Sequence, residues 1–182
     1  SNGNFTANNV TISNNTASVN GGGLDLNYCS SASLSNSTIS NNIAHSGGAI
    51  WVTDSEINIS STLIADNIST NTSNNYGAID NHNGVILDID RVTFVNNERS
   101  AIHNDENDAN ITITNSIFWN PSAEEEISNR MSGNSITVSY SNLFYGYCDE
   151  SSDTMPTDCS NLIYEDPQFN DDYTLQLTSP CI

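Results

Sequence analysis

The sequence predicts a right-handed parallel β-helix of about six to seven coils with three parallel sheets. Three observations lead there. One short motif recurs about once every 25 residues, the segments between its copies alternate apolar and polar residues, and Asn, Gly or Ser stands wherever a segment ends. Self-similarity at a period of roughly 20–50 residues is the signature of a solenoid. The right hand is the general preference of parallel crossovers and is not something the spacing shows.

The motif is an apolar residue, two of any kind, then Asn. It occurs as Phe5–Asn8, Ile12–Asn15, Ile39–Asn42, Ile64–Asn67, Phe94–Asn97 and Ile117–Asn120, with Leu143 in the same phase and Gly146 in the Asn position. From Ile12 onward the spacings are 27, 25, 30, 23 and 26 residues, one coil each. A glycine-rich motif follows: Gly22-Gly23-Leu24, Gly48-Ala49-Ile50, Gly77-Ala78-Ile79 and a degenerate Ser100-Ala101-Ile102. The third element is a short alternating strand, seen at Ala32–Leu34, Ile57–Ile59, Leu87–Ile89, Ile111–Ile113 and Ile136–Val138.

Segments this short carry no helical period and read as strands. Three of them joined by tight bends make a triangular coil. Stacked coils then pair strand on strand about 4.8 Å apart, and inward Ile, Leu and Val form a continuous core. Asn after a strand tolerates a left-handed bend. Stacked Asn side chains can also bond one another as a ladder. The expected ladder is Asn15, Asn42, Asn67, Asn97 and Asn120. One domain is expected over 1–182, with 145–182 as an irregular C-terminal coil and cap.

Composition narrows the partners. The chain has 182 residues and a net charge of −19, with no lysine and only Arg91, Arg99 and Arg130 as strong bases. Nucleic acid and anionic membrane need clustered cations and are excluded as partners. No stretch approaches the roughly 20 apolar residues of a membrane-spanning helix, so no membrane insertion is expected. No charged start followed by an apolar run opens the chain, so a secretory leader is expected to have been removed.

The alternation of F/I-x-x-N with G-G-A-I or G-G-A-L resembles the repeats of polymorphic outer-membrane proteins and the wider family of bacterial-type β-helix surface proteins. The residues that carry it are Ile39–Asn42 with Gly47-Gly48-Ala49-Ile50, and Phe94–Asn97 with Ser100-Ala101-Ile102. The tail from Asp166-Pro167-Gln168-Phe169 through Tyr173 and Leu177 to Ser179-Pro180-Cys181-Ile182 is similar to the D-P-x-F, Y-x-L, S-P-A/C-I-D ending of such proteins. The resemblance implies the fold and a cell-surface location. It leaves function open, because adhesins, enzymes and structural fibres share this architecture.

The fold also hosts pectate lyases and many glycosidases, so paired carboxylates matter. Asp54 and Glu56 flank one strand, and Asp88 and Asp90 project from one face of another. As outward positions of alternating strands they read as solvated, and no catalytic residue is assigned. Arg91 and Arg99 also read as solvated. His45, His82 and His103 lie near the glycine bend at different offsets and do not suggest a metal site. Calcium is the one cofactor that the acidic loops Asp105–Asp108 and Glu124–Glu126 could attract, yet neither follows calcium-loop spacing. Both are expected to be solvated. Trp51 should point outward, with Trp119 and Tyr140 as further candidates for sugar or partner contacts.

Cys148 and Cys159 flank a polar loop and are expected to form a disulfide. Cys29 and Cys181 lie too far apart along the column to pair within one chain, since a disulfide spans only about 4–7 Å between Cα atoms. An intermolecular bond between them is one outcome. Eight N-x-S/T sequons begin at Asn4, Asn9, Asn14, Asn36, Asn58, Asn67, Asn71 and Asn110 and are candidate glycosylation sites. Cysteines and sequons together point to an extracellular, cell-surface location. The functional expectation is a non-enzymatic structural protein that self-associates head to tail into a filament. The alternatives are a monomeric adhesin module binding carbohydrate or a cell-surface protein, and a polysaccharide lyase or glycoside hydrolase.

Overall fold

The structure, a computed structural model, describes residues 3–72, 76–83, 85–105, 108–144 and 158–182. It is all β, a parallel β-solenoid of about six turns. The first sheet stacks Asn4–Asn8, Ser31–Ser35, Glu56–Ser60, Ile86–Asp90, Asn110–Thr114, Ser135–Ser139 and Asp158–Ser160 in sequence order. The second stacks Thr11–Ser13, Thr38–Ser40, Leu63–Ala65, Thr93–Val95, Ile117–Trp119 and Asn142–Leu143. The third stacks Leu24–Asn27, Ile50–Thr53, Ile79–His82, Ile102–Asn104 and Ile127–Asn129. A two-stranded sheet, Ile43–Ala44 with Ile68–Ser69, adds a fourth to the three expected.

Every strand pairs in parallel with its equivalent one turn away, so the period-2 pattern becomes vertical files. In the first sheet Phe5, Ala32, Ile57, Leu87, Ile111 and Ile136 form one inward file. In the second, Ile12, Ile39, Ile64, Phe94, Phe118 and Leu143 form another. The rings of Phe94 and Phe118 stack with centroids 4.7 Å apart. Each fully buried side chain of this size contributes roughly 1.5–3 kcal/mol, and most of these are completely covered.

The expected phase of the fifth coil is off by one. Phe94 lies over Phe118, not Ile117, which points outward and is half-buried. Inward and outward alternate strictly, so a one-residue shift exchanges the faces. The cause is a missing bend residue. In the first four coils a left-handed residue (Asn14, Asn41, Asp66 or Asn96) precedes the ladder Asn, whereas Asn120 follows Trp119 directly.

The bends explain the Asn, Ser and Gly content. The corner between the first and second sheets puts Asn9, Asn36, Ser61, Arg91, Asn115, Tyr140 and Asn161 in the left-handed region, with φ between 46° and 55°. Such residues are uncommon, and Asn tolerates the conformation best after Gly. Gly21 and Gly47 enter the third sheet at φ +62° and +63°, where a Cβ would run into the carbonyls of Leu24 and Ile50. Two residues past the first sheet, the hydroxyls of Ser37, Thr62, Ser116 and Ser141 each bond back to the strand's last carbonyl. All four are buried.

Of the expected C-terminal cap, 145–157 lies outside the described residues. Asp158–Ser160 continues the first sheet, and Ile163 bridges to Asn142. The tail then returns along the side of the column. The Tyr173 hydroxyl reaches the Asp66 carboxylate at 2.9 Å and accepts from Asn96 Nδ2 at 3.1 Å.

Candidate functional site

The five predicted asparagines form one file, and its amide-to-amide hydrogen bonds all run in one direction. The backbone N–H and the Nδ2 of Asn15 both donate to Asn42 Oδ1 at 3.0 Å. Asn42 does the same to Asn67, Asn67 to Asn97, and Asn97 to Asn120, all within 2.8–3.1 Å. The Nδ2 atoms of Asn42, Asn67 and Asn97 also donate to the carbonyls of Ile12, Ile39 and Ile64. The ladder therefore satisfies backbone donors and acceptors that the corner takes out of sheet pairing. Asn42, Asn67, Asn97 and Asn120 are completely buried.

At the last rung the acceptor is a carboxylate. Asn120 donates its N–H to Glu126 Oε1 at 2.9 Å and its Nδ2 to Oε2 at 2.6 Å. Glu126 stands in the alanine file: the N–H of Ala49 bonds the carbonyl of Ala78, Ala78 that of Ser100, and Ala101 that of Glu126. Its longer side chain reaches across to where a sixth asparagine would stand. Glu126 is 2% exposed, which corrects the expectation of a solvated Glu124–Glu126 loop. Burial pushes its carboxyl from 4.5 up to about 7, against the two bonds from Asn120.

A second polar file, not anticipated, lies inside the third sheet. Leu26 and Val52 begin it, and Asn81, Asn104 and Asn129 continue it. Asn81 Nδ2 donates to Asn104 Oδ1 at 3.0 Å, Asn104 Nδ2 to Asn129 Oδ1 at 2.9 Å, and Asn134 Nδ2 closes on Asn129 Oδ1 at 2.8 Å. Asn81 Oδ1 and Asn129 Nδ2 are buried with no partner. A readable signal existed: Ala78-Ile-Asp-Asn81, Ala101-Ile-His-Asn104 and Glu126-Ile-Ser-Asn129 repeat one pattern.

On the other face of that sheet, Asp80 and His103 are both completely buried. His103 Nδ1 lies in hydrogen-bond contact with Asp80 Oδ1 at 2.7 Å, and Gly47 N–H donates to Oδ2 at 2.7 Å. Burial raises the Asp80 carboxyl, while the bond and charge of His103, the charge of His82 and the Gly47 N–H pull it down. Tyr76 meets His103 edge-on with centroids 4.8 Å apart, and Trp51 stacks on His82 at 4.0 Å. Ser128 follows His103 in the file, so carboxylate, imidazole and hydroxyl occupy consecutive rungs. Nucleophilic catalysis uses groups in that order. Here His103 Nε2 is buried without a partner, so it does not activate the hydroxyl. The arrangement can stabilise an imidazole under the aromatic cover, and Ser128 is only 2% exposed.

The remaining expectations fall as follows. Glu56, Asn58, Asp88 and Asp90 lie on the outward face of the first sheet, and Asp90 pairs with Arg91 at 2.7 Å. Its carboxyl is held low, chiefly by the bond from Asn115. Arg99 is half-buried rather than solvated, with its Nε enclosed. His82 and His103 approach one aromatic cluster, while among the described residues no group of three or more His, Cys, Asp and Glu could hold a metal. Trp51 is half-buried and outward, Trp119 is half-buried against Phe144, and Tyr140 is 65% exposed.

Sequons Asn4, Asn9, Asn14, Asn36 and Asn110 are exposed, and Asn58 and Asn71 are half-buried. Asn67 is corrected: its Nδ2 already donates to Asn97 Oδ1 and to two backbone carbonyls, and it is completely buried. A glycan on that nitrogen would remove those donors and has no space. Cys148, the expected partner of Cys159, lies outside the described residues. Cys159 packs inward over Val138. Cys29 and Cys181 are free and half-buried. Cys29 accompanies Ser55 at the corner entering the first sheet, whereas Cys181 Sγ accepts from Asn142 Nδ2 at 3.0 Å beside the second. Coaxial stacking in register would leave these two thiols at different corners.

These features define a class, the parallel β-solenoid with an asparagine-laddered corner. Comparison with protein-family models, curated proteins and solved structures finds no match to this chain.

Proposed function

We propose that the chain is a non-enzymatic structural module of an extracellular or cell-surface protein, a stiff acidic column whose first turn stacks end-on on another solenoid turn. The observation that carries this reading is the contrast in how the core is covered at the two ends. Asn4–Asn8, Thr11–Ser13 and Leu24–Asn27 are outermost in their sheets and are paired on one side only among the described residues. Unpaired strand edges are templates for association. Beneath them Phe5, Ala7, Val10, Ile12 and Leu24 are only partly covered, and Val19 and Tyr28 are 59% and 61% exposed. At the other end Ile127–Asn129 and Asp158–Ser160 are also outermost in their sheets, but Ile127, Val138 and Leu143 are buried and Glu126 takes the last donors of the ladder.

In this chain taken alone, the contrast favours pairing of two copies, first turn to first turn, over an open head-to-tail filament. A charge of −19 on each copy opposes association, so salt should strengthen it. Sedimentation velocity tests the idea. The expected result is a monomer–dimer equilibrium that tightens with salt and is lost in Val19→Asp and Phe5→Asp, with circular dichroism confirming that the variants fold. A monomer at every concentration would sink the reading. A ladder of larger species would restore the filament in its place.

A further inference from the structure

A groove of about 450 Å³ runs between the column and its returning tail. That volume falls within the roughly 300–1,000 Å³ of small-molecule sites. One wall is the left-handed corner file: Arg91, Asn115, Tyr140 and Asn161, at φ 54°, 50°, 50° and 53°. The opposite wall is Leu175, Pro180, Cys181 and Ile182 of the tail. Between them lie Ile117, Ser141 and Asn142.

Two observations point to a ligand. Asn142 is 1% exposed, and its Nδ2 is committed to the Glu165 carbonyl at 2.7 Å and to Cys181 Sγ. Its Oδ1, however, is buried with no partner. A buried acceptor left empty calls for a donor. Separately, Tyr140 holds a conformation that suits asparagine, the residue at both neighbouring rungs, and its ring is largely exposed. A strained residue with an exposed aromatic face, at the mouth of a cleft, is a motivated candidate for recognition.

The chemistry selects the ligand class. Arg91 is neutralised by Asp90, which also accepts from Asn115 Nδ2 at 2.8 Å. With the −19 charge of the chain, the groove offers an anion little. It combines an aromatic face, carboxamides and an apolar wall. A pyranose presents the complement, a C–H face for the ring and hydroxyls that both donate and accept. We propose that this groove binds a neutral saccharide, a mono- or disaccharide unit laid against Tyr140 with a hydroxyl directed towards Asn142. This goes beyond the structural reading and does not depend on it.

The test uses the whole chain, ¹⁵N-labelled, titrated to millimolar concentration with cellobiose, chitobiose, lactose, maltose and mannobiose. Saturable shifts of the Asn115, Asn142 and Asn161 side-chain amides by one of these sugars are expected, equal at low and high salt. Tyr140→Asn should weaken binding roughly tenfold, the worth of one stacked ring, without lowering the melting temperature. Tyr28→Asn changes an equally exposed left-handed tyrosine in the first turn and should leave binding intact. No saturable shift with any of the five overturns the proposal. So does binding that Tyr140→Asn leaves unchanged, or binding that Tyr28→Asn weakens equally.

Discussion

Two files of asparagine run through this column, and they differ in what each amide must do. In the corner ladder every Oδ1 from Asn42 to Asn120 accepts two bonds, one of them from backbone, and the final donors end on Glu126. In the interior file each amide passes a single bond to the next, and Asn81 Oδ1 and Asn129 Nδ2 are left open at its ends. A backbone group leaving a sheet inside a solenoid must find a partner, so the corner amides have no apolar substitute. The interior positions have one, because Leu26 and Val52 hold the same file two turns earlier. The polar group is obligatory at the corner and replaceable in the core.

The harshest way to break the corner is Asn67→Ala. It strands the N–H and one Nδ2 hydrogen of Asn42 and the Ile39 carbonyl, all buried. Each orphaned group costs about 1–3 kcal/mol, so a loss of about 4 kcal/mol or more is expected. Urea denaturation followed by circular dichroism reads it, and a loss under about 1 kcal/mol would contradict the backbone role.

The capped end comes next in size. Glu126→Ala strands two donors of Asn120 and should cost about 3 kcal/mol. The native carboxyl also makes stability depend on pH. Its folded pKa is raised, so between 4.5 and about 7 the native state holds a proton that the unfolded chain has released. Stability is therefore fully present below 4.5 and falls as pH rises through about 7, by roughly 3 kcal/mol. General charge repulsion acts in the same direction, so the measurement is the difference between wild type and Glu126→Gln across that window. Parallel curves would mean that Glu126 does not titrate there.

The interior file should respond in the opposite sense. Asn104→Val alone leaves Asn81 Nδ2 without its acceptor and should cost about 2 kcal/mol. Changing Asn81, Asn104 and Asn129 to Val together removes the partners as a set. It should leave stability unchanged or improve it by about 1–2 kcal/mol, with Asn134 Nδ2 retaining the Met131 carbonyl. That reversal from single to triple variant is the quantity to measure. If the triple lost more than the single, the two files would be equivalent after all.

The same contrast explains what could be read from the chain alone. The corner ladder announces itself, because its Asn follows an apolar residue at fixed distance in nearly every coil. The interior Asn file escapes a reading of periodicity because Asp80-Asn81 and His103-Asn104 each put two polar residues in succession, and Leu26 and Val52 break the repeat. In sequence Glu126 reads as part of a solvated cluster because neighbouring acids suggest water. Its place in the Gly-Ala-Ile motif is visible only once the degenerate Glu125-Glu126-Ile127 is aligned with Gly77-Ala78-Ile79. The misphasing at Ile117 has the same origin: a deleted corner residue keeps the Asn in line and shifts the strand before it. Periodicity reports what recurs, whereas a cap, a deletion and an intruding polar file each occur where recurrence stops.

The smallest effect tests the corner from its outside. Asn9, Asn36, Asn115 and Asn161 share the left-handed file with Tyr140. A left-handed conformation costs a bulky L-residue about 1–2 kcal/mol, and Asn recovers part of that through local hydrogen bonds. Tyr140→Asn should therefore stabilise the column by about 0.5–1 kcal/mol, read as a higher urea midpoint at unchanged slope. A lower midpoint would mean that the tyrosine ring supports the fold, and its strain would then need no ligand to account for it. A higher midpoint would leave an exposed ring held at a cost to stability, as expected of a residue kept for what it touches.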